Sequence, residues 1–284
     1  MGVAAAARLG AAIIADVEFG SVSPDGSAAL AVESSGDLRL YSGLRSGELT
    51  LLRIGNAGSP VDRAAWAPDG RSALVYATCG GYAQILSGLP AKPEVNGSID
   101  LSTLSAPLEA LIFDGRYVIA APKTGGIYLA AQHGSIRQIA ASDAPALVAL
   151  TGSDLYFTNA KSQTIWRVSD YAGVASGQVF AEDHTMSLPT AIAASADGER
   201  LYVADAGNRS LVIYDAASHT VVERLGLDFT PSRLDRFGNA NAFLMNTSGT
   251  GPLYVFSEIP SGKPGVYFVP PVDSRTHKLH LHPM

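Results

Sequence analysis

The chain has 284 residues, of which 47% are hydrophobic and only 16% are charged, and it contains 29 glycines and 16 prolines. A formal net charge of −6 disfavours a nucleic-acid partner, because binding to phosphates requires a basic surface. The single cysteine, Cys79, excludes an intrachain disulfide bond and a metal site built on two cysteines. Low charge together with many glycines is typical of short strands joined by tight turns, and the length allows one large domain of closed sheets.

The first sixteen residues, MGVAAAARLGAAIIAD, are apolar but do not read as a signal peptide. Arg8 interrupts the run, no positively charged segment precedes it, and no clear cleavage site follows it. We predict that residues 1–16 form an extra strand or a cap on the domain. No apolar run approaches the ~18–20 residues that a membrane-spanning helix needs. Two localisations stay open: exported or periplasmic if a signal peptide has been removed, and cytoplasmic otherwise.

A turn built on Asp-Gly recurs along the chain at intervals of about forty residues, which is the spacing of propeller blades. Clear copies and weaker equivalents together number six, and in chain order they are Pro24-Asp25-Gly26, Pro68-Asp69-Gly70, Asp114-Gly115, Gly152-Ser153-Asp154, Asp197-Gly198 and Phe237-Gly238-Asn239. In such a turn proline sets the first corner, aspartate accepts a hydrogen bond from a nearby amide, and glycine takes the left-handed position. Each turn therefore predicts a hairpin inside one blade.

One short apolar run precedes each turn and three follow it. Their length and their β-branched and aromatic residues predict strands, and apolar residues at consecutive positions predict sheets buried on both faces. The runs that follow the six turns are Ala28–Val32, Leu38–Tyr41 and Leu49–Ile54; Ala73–Ala77, Tyr82–Leu86 and Ser98–Leu101; Tyr117–Ala121, Gly126–Ala130 and Ile136–Ala140; Leu155–Thr158, Thr164–Val168 and Gln178–Phe180; Leu201–Ala204, Leu211–Tyr214 and Thr220–Leu225; and Ala242–Asn246, Leu253–Ser257 and Val266–Pro270.

The pattern predicts an all-β fold, a six-bladed β-propeller of four-stranded antiparallel blades, with a seven-bladed ring as the alternative. We predict a single domain over residues 1–284 that ends in a tail at 271–284. Val266–Pro270 is predicted to complete the last blade, with Ala11–Ala15 as an added outer strand or cap; the two exchanged are the alternative.

Residues 188–225 read LPTAIAASADGERLYVADAGNRSLVIYDAASHTVVERL. This segment resembles the NHL and YVTN repeat propellers of bacteria, with a proline at the start of the inner strand, an Asp-Gly turn, a Leu-Tyr-Val-Ala-Asp strand and a strand that ends in Tyr-Asp. The resemblance implies that Asp205 and Asn208 stabilise the blade as turn residues. Propellers of this kind include scaffolds, sugar-lactone hydrolases, lyases and sensors, so the resemblance bears on the fold far more than on the function.

A more distant likeness to six-bladed gluconolactonase-type propellers implies a metal site. Those enzymes hold a divalent cation in the central channel through Glu, Asn and Asp side chains at the starts of inner strands. Glu18 and Asp62 occupy equivalent positions before their turns, and Thr190 stands near the place of the Asn. Glu18 and Asp62 are thus the candidate ligands, and oxygen ligands suit Ca²⁺ or a similar hard cation. The expectation is no cofactor, with such a divalent cation as the alternative.

The remaining charged candidates lie in or beside the predicted inner strands, which line a propeller's channel. A polar binding mouth is predicted from Glu18, Asp62, Arg63, Glu109, Thr190 and Arg233. No catalytic residue is assigned, because the chain lacks a Gly-x-Ser-x-Gly elbow and a phosphate loop. Asp183, His184 and Ser187 are close together in one segment, whereas a catalytic triad is assembled from distant ones, so we predict an ordinary loop.

These features favour a non-catalytic binding module with its site on one face of the ring, around the channel. The predicted partner is a protein, a glycan or a small polar ligand, with no nucleic acid and no membrane span, and the predicted state is a monomer. The alternative function is a metal-dependent hydrolase of lactones, or a lyase, with its site in the channel.

Overall fold

Six antiparallel sheets of four strands make up the fold, and each sheet uses four consecutive strands. A computed structural model describes residues 17–33, 35, 37–46, 50–55, 61–104, 107–132, 134–236, 241–246, 252–258 and 263–270. The predictions for segment 1–16, for the tail at 271–284 and for the turn at Phe237–Asn239 fall outside the described residues, as does the side chain of Glu18.

The first three blades take up the first half of the chain. Their strands are β1 (Val17–Val22), β2 (Ala28–Glu33), β3 (Leu38–Ser42) and β4 (Thr50–Gly55); β5 (Arg63–Trp66), β6 (Ala73–Tyr76), β7 (Tyr82–Ser87) and β8 (Glu94–Asp100); and β9 (Leu108–Phe113), β10 (Tyr117–Pro122), β11 (Ile127–Ala131) and β12 (Arg137–Ala140).

The last three blades repeat the same order. Their strands are β13 (Ala146–Thr151), β14 (Asp154–Asn159), β15 (Thr164–Ser169) and β16 (Ser176–Glu182); β17 (Pro189–Ala194), β18 (Arg200–Asp205), β19 (Ser210–Asp215) and β20 (Val221–Gly226); and β21 (Asp235–Arg236), β22 (Asn241–Leu244), β23 (Leu253–Glu258) and β24 (Gly265–Val269). The six-bladed prediction is confirmed over the seven-bladed alternative. Strand β24 completes the last blade, as predicted for the run at Val266–Pro270.

In blades one, two, three and five, the Asp-Gly turn holds the inner strand to the second strand through local hydrogen bonds. In blade one, Ser23 Oγ donates to Asp25 Oδ1 at 2.7 Å, and the Ser27 amide donates to the same oxygen at 3.0 Å. In blade five, the Glu199 amide likewise donates to Asp197 Oδ1 at 3.0 Å. Gly198 has a φ of 77°, a left-handed conformation that side chains other than glycine rarely adopt. The repeated turn is therefore set by its own few residues.

The hydrophobic core lies between the blades. Five clusters of buried side chains each join two successive blades, from blades one and two to blades five and six. Between the last two blades, the buried ring of Tyr202 contacts Phe243 and Phe256 at centroid distances of 5.2 and 5.1 Å. Blades buried on both faces explain strands such as Ala73–Tyr76, in which every residue is buried.

Two outer strands are longer than the sequence indicated. Strand β8 spans Glu94–Asp100, where only Ser98–Leu101 was predicted, and β16 spans Ser176–Glu182 rather than Gln178–Phe180. Most of their residues are exposed, because an outer strand packs against less of the ring than the strands inside it. A strand that buries little surface has little apolar signal in its sequence.

Within the described ranges, no helix is long and apolar enough to cross a membrane.

Candidate functional site

A cavity of about 840 Å³ lies at the centre of the ring and is lined by residues from the innermost segments of all six blades. Its size is within the range of about 300–1,000 Å³ that ligand pockets occupy. One lining residue from each blade is Phe19, Arg63, Glu109, Leu150, Ile192 and Arg233. Since every blade begins with its inner strand, residues at the starts of these strands lie on one face of the ring. We call the end of the cavity formed by Arg63, Glu109 and Arg233 the Arg63 mouth.

Arg63 is the first residue of β5 and lies against an aromatic ring of the neighbouring blade. Its Cζ atom is 5.2 Å from the centroid of the Phe19 ring, a distance at which a guanidinium is attracted to the ring face. Its Nη1 atom donates a hydrogen bond to the backbone oxygen of Asp62 at 2.7 Å. These two contacts hold the guanidinium beside the cavity, between blades one and two.

Arg233 lies just before β21 and pairs with the carboxylate of Asp235. Its side chain is only 24% exposed. Burial, and after it the positive charge of Arg63, lower the pKa of the Arg233 guanidinium. The two arginines, from blades two and six, are therefore near enough to repel each other.

Glu109, the second residue of β9, supplies a carboxylate to the same mouth. It forms an ion pair with Lys123, with 3.7 Å between Nζ and Oε2. Both side chains are more than one third exposed, and exposed pairs of this kind contribute only about 0–1 kcal/mol. The pair offsets the charge of Glu109 without adding much to the stability of the ring.

Two of the other predicted site residues, Asp62 and Thr190, do not join this group. The two carboxylate oxygens of Asp62 accept hydrogen bonds from the amide and the hydroxyl of Thr78, at 2.9 and 2.7 Å. Thr190 Oγ1 donates to the Pro231 oxygen at 3.0 Å and so links blades five and six. Neither residue is among those that line the cavity. Glu18 lies in a bulge of β1, and its side chain is not described.

No group of three His, Cys, Asp or Glu side chains could hold a metal ion within the part of the chain that the structure describes. The equivalence of the predicted positions is nonetheless visible in the strand registers. Thr190 lies in a bulge of β17 as Glu18 lies in a bulge of β1, and Asp62 directly precedes β5.

Two residues of the mouth were missed by sequence reasoning. Phe19 occupies the position of β1 that Arg63 occupies in β5, counted from the Asp-Gly turn, and Tyr76 pairs with Arg63 across the β5–β6 ladder. Both line the cavity, and burial raises the pKa of the Tyr76 phenol. Aligning the blades on their turns would have placed Phe19 there, and the hairpin register would have placed Tyr76.

At the other end of the cavity, Arg236 is engaged through part of its guanidinium, while its buried Nη1 atom has no hydrogen-bond partner among the described residues. Its Nη2 atom donates to the Ala194 oxygen of the neighbouring blade, and its Cζ atom lies 5.0 Å from the centroid of the Phe243 ring. Burial lowers the pKa of this guanidinium as well. Arg236 therefore serves to join blades five and six.

The segment with Asp183, His184 and Ser187 is a loop without triad geometry, as predicted. Asp183 Oδ2 accepts hydrogen bonds from Tyr214 Oη at 2.7 Å and from Arg224 Nη2 at 2.6 Å. His184 is exposed, with Nδ1 3.4 Å from Gln163 Oε1. Burial acts to raise the pKa of the Asp183 carboxyl, but hydrogen bonds from Thr185, Tyr214 and Arg224 outweigh it and lower the pKa to about 2.

We expect the free energy of unfolding to fall less steeply with decreasing pH in the Asp183→Asn variant than in the wild-type protein. Because the folded-state pKa is depressed, ionised Asp183 contributes stability above its ordinary value of 3.8, and this contribution disappears as the pH falls towards about 2. Urea denaturation at several pH values between about 4 and 2 measures it. Asp143→Asn, at an exposed position, controls for the change of net charge. An acid limb identical in Asp183→Asn and the wild-type protein would contradict this role.

Comparison with known proteins adds support for the fold. No family model matches the chain, and no curated protein sequence matches it. Among solved structures, a chain of the crystal structure of a nidogen/laminin complex is similar, with a TM-score of 0.52 and 13% sequence identity over 73% of this chain and 78% of that one. At this identity the likeness shows the propeller fold alone. In all, 1483 chains of solved structures match, so the shape by itself says little about function.

Proposed function

We propose that this protein is a non-catalytic binding module whose ligand or partner binds on one face of the ring, at the Arg63 mouth. The observation that carries the proposal is the convergence of Arg63, Glu109 and Arg233 from three different blades on one open cavity. Loops and strand ends held by a rigid ring are the usual place for binding residues.

The acids at this face support binding rather than catalysis. A general base needs a carboxylate within reach of a substrate proton and not already committed to other donors. Asp62 accepts two hydrogen bonds from Thr78, and Glu109 and Asp235 each have a cationic partner. The described carboxylates thus hold the mouth together and set its charge.

The alternative, a hydrolase or lyase with a divalent cation between Glu18 and Asp62, has less support. The described residues fit such an ion poorly, because both oxygens of Asp62 already accept hydrogen bonds from Thr78 and Thr190 lies outside the cavity lining. The guanidinium of Arg63, directly after Asp62, would also repel a cation.

We also infer kinship with the NHL and YVTN repeat propellers. The sequence of blade five supports it, as does the network around Asp205, which accepts hydrogen bonds from the Leu188 amide at 2.8 Å and from Asn208 Nδ2 at 2.7 Å. The solved neighbour comes from a complex of two proteins, which agrees with a binding role for such a ring. A protein, a glycan and a small polar ligand remain the partner classes to test.

Thermal shift with a panel of small polar ligands, with and without Ca²⁺, Mn²⁺ and Zn²⁺, tests the function. The wild-type protein is compared with a triple variant of the mouth, Arg63→Gln, Glu109→Gln and Arg233→Gln. A ligand at 100 times its dissociation constant stabilises the folded state by about 2.7 kcal/mol, or roughly 4–5 °C at this chain length. We expect the melting temperature to rise by this amount in the wild-type protein and not in the mouth variant. The ligand should be recovered chemically unchanged, as expected for binding without catalysis.

A matched triple variant at exposed positions, Arg71→Gln, Glu94→Gln and Arg116→Gln, makes the same changes of charge away from the mouth and should keep the rise. Turnover of a lactone that requires a divalent cation and is abolished by Glu18→Gln would replace the binding module with the hydrolase. A ligand whose stabilisation survives the mouth variant would place the site elsewhere.

A further inference from the structure

Among the residues whose side chains the structure describes, the hydrogen-bond donors of the Arg63 mouth exceed its acceptors. Among the described residues, Arg63 donates one hydrogen bond, to the backbone oxygen of Asp62, and its guanidinium otherwise lies over the Phe19 ring. The described acids nearby are committed: Asp62 to Thr78 and Glu109 to Lys123. A guanidinium presents its N–H groups in a planar fork that matches a carboxylate or a phosphate.

Arg233 adds a second positive charge that the cavity does not fully offset. Its partner Asp235 is 47% exposed, so solvent weakens that pair, while the Arg233 side chain is mostly buried. Two like charges at the rim of a part-buried cavity repel each other, and an anion between them would turn this repulsion into attraction.

Behind the mouth the wall of the cavity is mixed, with somewhat more apolar than polar surface. The inner strands place small and aliphatic side chains there, and these include Ala64, Ala110, Leu111, Leu150, Ala193 and Leu234. Apolar side chains behind a mouth with convergent charged groups suit a ligand with a charged head and an apolar body.

We propose that the ligand of the Arg63 mouth is a small organic anion, with its carboxylate or phosphate head between Arg63 and Arg233 and its apolar body in the channel. This inference rests on the proposed function, because it specifies the ligand of the same site. The head group sets orientation through charge-assisted hydrogen bonds, and the body contributes by removal of apolar surface from water.

The two tryptophans allow a direct measurement. Trp66 lines the cavity, and its Nε1 atom donates to the Ser21 oxygen at 3.0 Å, whereas Trp166 lies in blade four and is 38% exposed. In a Trp166→Phe background, the emission of Trp66 therefore reports on the occupancy of the cavity. The probes are octanoate, octyl phosphate, octanol and octylamine, which share one chain and differ in head group, together with acetate and inorganic phosphate as heads without a body.

We expect octanoate or octyl phosphate to change the Trp66 emission saturably, and the better of the two identifies the head. Octanol, octylamine and the bare heads should bind at least tenfold more weakly. Arg63→Gln and Arg233→Gln should each weaken binding at least tenfold, and Arg71→Gln should leave it unchanged. Arg63→Lys keeps the charge but loses the planar fork, so its affinity should lie between those of the wild-type protein and Arg63→Gln. Partial binding by this variant would show that the loss in Arg63→Gln is not a folding defect.

Other results separate this inference from the proposed function. Octanol or octylamine binding as tightly as octanoate, with loss in the mouth variants, would overturn the anion and leave the binding module in place. Inorganic phosphate binding as tightly as octyl phosphate would overturn the role of the apolar body. If every probe bound the Arg63→Gln and Arg233→Gln variants as tightly as the wild-type protein, both proposals would be wrong.

Discussion

Asp205→Ala is expected to lower the free energy of unfolding by about 3–5 kcal/mol, because it removes a buried carboxylate that accepts several charge-assisted hydrogen bonds at once. Asp205 is completely buried at the end of β18. Its carboxylate accepts hydrogen bonds from the amides of Ser187 and Leu188, at 3.1 and 2.8 Å, and from Asn208 Nδ2 at 2.7 Å. It thereby ties the loop that enters blade five to the turn between β18 and β19.

Urea denaturation followed by tryptophan fluorescence measures this effect. Asp69→Ala is the matched control, because Asp69 also accepts hydrogen bonds from backbone amides but lies in an exposed turn. There water can replace the lost acceptor, and we expect a loss of only about 0.5–1.5 kcal/mol. Equal losses in the two variants would show that the buried network of Asp205 adds nothing beyond an ordinary turn.

Tyr202→Ala is the second substitution with a large expected effect, again about 3–5 kcal/mol, since it opens a cavity the size of an aromatic ring. The Tyr202 ring is fully buried between blades five and six, against Phe243 and Phe256. Its hydroxyl donates to the carboxylate of Glu258 in β23. Loss of the ring should loosen the last blade from the rest of the propeller.

Tyr202→Phe separates packing from hydrogen bonding. It keeps the ring and removes only the hydroxyl, and Glu258 retains Arg200 at 4.0 Å, so we expect a cost of about 1–2 kcal/mol. The free energies of both variants come from urea denaturation, with far-ultraviolet circular dichroism as a second probe. A loss below about 1 kcal/mol in Tyr202→Ala would mean that the junction of blades five and six does not depend on this ring.

The ring architecture leaves the starts of the inner strands available for the binding site that we propose. The described turns and the packing of successive blades against each other stabilise the fold, so the starts of the inner strands are left to face the channel. Arg63 in blade two and Arg233 in blade six lie four blades apart along the chain, and they are brought to the same mouth only because the ring closes. Binding residues can vary at such positions without loss of the fold.

The repeat was readable from the sequence because its determinants are local. Ser23, Asp25 and Gly26 form a turn among themselves, and the same chemistry at Asp197 and Gly198 forms the same turn in blade five. Apolar runs between such turns then predict four strands for each of six blades. The outer strands β8 and β16 were predicted only in part, since most of their residues are exposed and give no apolar pattern.

The site was only partly readable, because side-chain hydrogen bonds between distant segments leave no local signal. Arg63, Glu109 and Arg233 could be placed at the channel because they fall at the starts of inner strands. Asp62 appeared equally suitable, yet its carboxylate is taken by Thr78, sixteen residues later, and Thr190 bonds to Pro231, forty-one residues later. The sequence by itself determined the number of blades through local turn chemistry. Which polar groups reach the cavity was decided only by the packing of blade against blade, since that packing sets which donors each acceptor meets.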